Sequence, residues 1–64
     1  MTDYYPNHVP ADAEKFEYML AVFRNCESLV EMEAAATAFI FDVSYARQDI
    51  VVAMGRVERE RGWR

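Results

Sequence analysis

Cysteine is all but missing from this 64-residue sequence: Cys26 stands alone, so no disulfide can close within one chain. Histidine is as scarce, and with His8 the sole example a Cys/His zinc site in one chain lacks ligands. Glycine occurs only at positions 55 and 62, which excludes a glycine-rich phosphate loop. No apolar run approaches the ~20 residues needed to cross a bilayer, and no membrane contact is expected. The first ten residues, MTDYYPNHVP, have neither the basic nor the apolar region of a secretory signal. An unpaired thiol without such a signal fits a reducing setting, so a cytoplasmic protein is expected.

These absences matter because so short a chain leaves much of its surface exposed when it folds alone and usually needs a staple. With disulfide and metal excluded, tight helix packing and a partner chain remain. Hydrophobic residues make up 53% of the sequence, with four Phe, four Tyr, four Met and one Trp, which supplies either route. The same content rules out an acidic disordered segment. The net charge of −4 is unevenly spread. Residues 1–33 carry seven acids against Lys15 and Arg24, whereas residues 34–64 carry four acids against five arginines. Antiparallel halves of opposite sign would attract, although acids also favour helix starts and arginines helix ends.

Pro6 and Pro10 hold the residues before them away from helical geometry, so residues 1–10 read as an extended arm. A first helix is expected over about 11–26, with Asp12 and Glu14 at its start. Phe16, Met19, Leu20, Phe23 and Cys26 recur at helical spacing and form one apolar stripe. Ser28 and Glu31 match a capping box that opens the next helix. Beyond Ser28, alternating steps of three and four give Leu29, Met32, Ala36, Phe39, Val43, Ala46, Ile50, Ala53 and Val57, all apolar. The seam keeps phase through Asp42–Tyr45, which predicts one long helix over about 29–61, with a kink or split near 42–45 as the alternative. A second apolar stripe, Val30, Ala34, Ala38, Phe41, Tyr45 and Val52, lies on another side. A helix apolar on two sides needs neighbours on two sides.

The expected fold is therefore all-α: a helical hairpin of a short helix and a long one in residues 11–64. Helices of ~24 Å and ~50 Å differ too much for the short one to cover the long one. Residues 46–57 would be left bare, which predicts a homodimeric bundle with Phe39, Val43, Ala46, Ile50, Ala53, Met54 and Val57 at its interface.

No catalytic, cofactor-binding or metal-ligating set is visible. Ser28 is a cap, Ser44 an ordinary helix residue, and His8 has no evident orienting group, although a dimer could bring it a carboxylate from another chain. Arg56, Arg59, Arg61 and Arg64 beside Trp63 are the one feature suited to nucleic acid. On a helix they point in different directions, and Glu58 and Glu60 interrupt them, so helix-end ion pairs are the preferred account. Tyr4, Tyr5 and Trp63 are candidates for binding a partner protein. The expected function is that of a non-enzymatic helical interaction protein, an adaptor, inhibitor or regulator, that self-associates and docks on another protein. Short acidic helical reading frames of this kind are common among phage and mobile-element accessory proteins. The alternative is a small nucleic-acid-associated regulator using its arginine-rich end.

Overall fold

The computed structural model describes residues 8–63, in three helices: α1 (Ala13–Asn25), α2 (Leu29–Ile40) and α3 (Arg47–Arg61). The Asp12 carboxylate caps α1 by accepting from the Lys15 amide at 3.1 Å. The capping box at Ser28 forms with one change of partner. Ser28 Oγ accepts from the Glu31 amide, and Glu31 Oε1 reaches back to the Glu27 amide, one residue before the cap.

The long helix expected over 29–61 is two helices. After Ile40 the chain tightens, with Asp42 N–H donating to the Phe39 carbonyl. Asp42 Oδ1 then accepts from the Ser44 amide at 3.0 Å and the Ser44 hydroxyl at 2.7 Å. That local bonding offers the backbone an alternative to helix. Tyr45 N–H closes the corner on the Asp42 carbonyl, and Ala46 is extended before α3 begins. A 33-residue helix would run ~50 Å, but the longest dimension of the molecule is 28 Å.

Refolded in this way, α3 packs chiefly on α1, then on α2, while α1 and α2 touch each other least. The core is Phe16, Met19, Leu20 and Phe23 from α1, Met32 and Ala36 from α2, and Ile50, Val52, Ala53 and Val57 from α3. Phe39 lies where the helices meet, edge-on to Phe23 at 5.7 Å and beside Tyr45 at 4.7 Å. Of the nine seam residues only Val43 is fully exposed, because it sits in the corner. The seam residues thus keep to the inside, but the helix axis bends sharply between them.

The bare stretch that called for a second chain is likewise absent. Ile50, Ala53 and Val57 are buried within the chain itself, and Val51 is the one exposed large apolar residue of α3. At the far end Gly62 takes φ +70°, which lets Trp63 N–H return to the Glu58 carbonyl.

Two substitutions measure these features. Phe23→Ala, at a fully buried ring, should cost about 3–5 kcal/mol, enough to unfold most molecules of so small a domain. Gly62→Ala meets no neighbouring atom but strains a left-handed residue, and should cost about 1 kcal/mol. Urea denaturation followed by circular dichroism reads both; a Phe23→Ala midpoint equal to wild type would contradict the packing described.

Candidate functional surface

Asp49, in the first turn of α3, is buried at 2% exposure. Its Oδ1 meets His8 Nε2 at 2.8 Å, and its Oδ2 accepts from the Ala11 amide at 3.0 Å. The His8 ring also lies against Phe16, 5.7 Å between centroids. The N-terminal end of α3 adds the favourable field of its dipole to the carboxylate. His8 thus finds its orienting carboxylate within its own chain rather than across a dimer. A His–Asp pair would orient a general base if a nucleophile adjoined it, but the hydroxyls of Ser28 and Ser44 belong to the turns around them, Ser44 bonded to Asp42. The pair is a latch that ties His8 and the start of the described chain to α3.

At the other end of α3, Arg24, Arg56 and Arg61 are engaged within the fold. Arg24 of α1 makes a two-pronged ion pair with Glu60, at 2.9 and 2.8 Å. Glu60, expected to pair along its own helix, reaches across to α1, and the pair runs against the expected attraction of halves. Its base comes from the acidic half and its acid from the basic half. Arg61 Nη1 donates to the carbonyls of Arg24 and Cys26, capping the C-terminal end of α1, and its guanidinium lies 4.5 Å from the Trp63 ring centroid. Arg56 covers the Phe16 ring at 5.1 Å. Trp63 is half-buried against the core. Tyr4, Tyr5 and Arg64 lie outside the described residues.

Burial pushes the Cys26 thiol up, with Glu31 adding to the effect and Arg61 opposing it, the reverse of what an activated nucleophile needs. Among the described residues no three His, Cys, Asp or Glu side chains stand together as a metal site, and no helix is long and apolar enough to cross a membrane.

The surface that stands out is the outer side of α2 and the corner after it. Val30 is 75% exposed, Phe41 82% and Val43 100%, with Ile40 partly uncovered. Ala34, Thr37 and Ala38 are exposed between them. At ~100° per residue, Val30, Ala34, Thr37 and Phe41 fall within an arc of about 60°. The Thr37 hydroxyl donates to the Glu33 carbonyl, so it is satisfied within the helix. Four members of the second stripe, Val30, Ala34, Ala38 and Phe41, thus form an outward face, while Tyr45 and Val52 turn toward the core. Of the residues expected at an interface, Val43 lies on this exposed corner, Phe39, Ala46 and Met54 are half-buried, and Ile50, Ala53 and Val57 belong to the core.

Removing one member of the latch should expose its value. His8→Ala leaves a buried carboxylate with the Ala11 amide as its remaining described donor, and should cost about 1–3 kcal/mol. Adding Asp49→Asn removes the buried charge and should recover part of that loss, a coupling that a double-mutant cycle measures; additive losses would deny the contact.

Acid should also weaken the fold. The Lys15 amide holds Asp12 below the usual carboxylate range, the Ser44 hydroxyl does so for Asp42, and the Arg24 guanidinium for Glu60. Each binds its proton more weakly in the folded chain, so its contribution is present above about pH 4–5 and lost as pH falls through the folded value. The urea midpoint should therefore be lower at pH 3 than at pH 6, and a flat profile would refute this. Comparison of the chain with protein-family models, curated proteins and solved structures found no match in any of the three.

Proposed function

We propose that this is a small helical interaction protein, an adaptor, inhibitor or regulator, which works by protein–protein contact and has no catalytic step of its own. The observation that carries the reading is the uncovered apolar face of α2, with Val30, Phe41 and Val43 each at least 75% exposed. Single exposed apolar residues are ordinary on any protein. Here they line one side of one helix and continue into its corner, whereas Val9, Tyr18 and Val51, the exposed large apolar residues described outside α2 and its corner, are divided among the segment before α1, α1 and α3. Covering a large apolar side chain is worth about 1.5–3 kcal/mol, so two or three such residues supply a useful share of a binding energy. Self-association would use this same face, because Val43, which lies on it, is the one exposed residue of those first assigned to an interface. An arginine-based contact with nucleic acid is less favoured: Arg61 is bonded to the end of α1, and Arg56 covers Phe16.

Affinity capture from the native host, comparing the wild-type chain with Val30→Asp/Phe41→Asp, tests this reading. Both positions face solvent, so folding should change by no more than about 0.5 kcal/mol each, which circular dichroism checks. Partners held by the wild type should be lost from the variant; equal capture by both would place the contact elsewhere.

A further inference from the structure

We infer that the α2 face takes an amphipathic helix of a different protein, one whose apolar stripe is flanked by lysine or arginine, and not a second copy of this chain. The inference rests on the functional reading above and names the occupant of that surface. Its ground is the charge around the stripe. Glu33 stands about 60° to one side of Val30 around the helix, and Glu31 about 100° to the other. Both are exposed, and α2 contains no basic residue. Glu27 lies just before the helix and Asp42 just after it, both also exposed. Lys15, whose charge also acts on Asp42, is paired with Asp12 at 3.3 Å. The apolar stripe therefore has acids on both sides of its first turns, at Glu31 and Glu33, and an acid just beyond each end, with no charged residue over positions 34–40.

A second copy would bring the same margins. Packed antiparallel with Val30 opposite Phe41 and Ala34 opposite Thr37, two copies set Asp42 of each opposite Leu29 of the other, between Glu27 and Glu31. Packed parallel about a two-fold, they set Glu33 of one copy beside Glu31 of the other. Either way like charges meet at the edge of an apolar contact, which disfavours the pairing. Area gives a second copy nothing in return. A 12-residue helix is ~18 Å long and 10–12 Å wide, so the shared footprint is about 200 Å² a side, well short of a stable dimer. A foreign helix with basic flanks meets the same small apolar footprint but turns each acidic margin from a penalty into an attraction. Ala34 and Ala38 at the middle of the stripe leave room for its backbone to come close.

The test is a fluorescence-anisotropy titration of the full chain against two labelled helical peptides. One carries a Leu/Ala stripe flanked by lysines; its twin has glutamate at every lysine position. The lysine peptide should bind in the micromolar range and weaken roughly tenfold or more from low to high salt, while the twin should not bind. Glu31→Gln/Glu33→Gln keeps the capping geometry and should weaken binding several-fold. Val30→Ser/Phe41→Ser leaves the charge unchanged and should weaken it at least as much. Failure of the lysine peptide to bind, or full binding by the serine variant, would overturn the inference. So would a concentration-dependent dimer in sedimentation that Phe41→Ser disperses; that result would leave the functional reading standing, with a second copy as occupant. Equal capture by the aspartate variant is the separate result that would remove the functional reading itself.

Discussion

The Asp42 carboxylate, by taking both the amide and the hydroxyl of Ser44, turns the chain at the one place where its apolar seam would otherwise continue straight. With one cysteine and so no disulfide within the chain, a chain this short depends on covering its own apolar residues. The corner at residues 41–46 makes this possible by laying α3 back along α1 and α2. Ile50, Val52, Ala53 and Val57 then fill the space that Phe16, Met19, Leu20 and Phe23 would leave open. Without the turn those same eight side chains would be two exposed stripes.

Once folded back, α3 is held at both ends by polar contacts of different character. At its N-terminal end a buried carboxylate holds His8 and the Ala11 amide, in surroundings dry enough that either partner alone would be costly. At its C-terminal end Arg24, Glu60 and Arg61 make contacts open to water, worth less energetically but well placed to seal the end of α1. Apolar packing between these anchors supplies the stability, and the anchors fix the register in which α3 lies on α1.

Local signals read well from the sequence. The first helix, expected over about 11–26, spans Ala13–Asn25, and the Ser28–Glu31 pair opens α2; both depend on residues within a turn or so of one another. Eight of the nine seam positions are buried or half-buried as their spacing implies. What the spacing does not carry is the direction of the axis: steps of three and four fix the angle at which a residue projects, and a six-residue corner can restore that angle after a reversal. Val43, the seam residue inside the corner, therefore projects into solvent. The His8–Asp49 contact spans 41 positions and leaves no local pattern. Its one trace is an acid in the first turn of a helix that has no side-chain cap, a common sight on exposed helices. The outward stripe on α2 was legible as a second apolar side, but its being uncovered depends on where α3 goes, and hence on the corner.

The order of helix contacts also shapes how the chain acquires its fold. The two helices adjacent in sequence, α1 and α2, touch least, and the main partner of α1 is α3, the last of the three. A growing chain that has reached the corner holds two amphipathic helices with little to bury against each other. Its core closes only when α3 arrives, so folding has little room for a half-built intermediate. During that interval the stripe of α1 and both sides of α2 face solvent together. Rapid helix formation, followed by one late docking step, is the route that keeps this exposure brief.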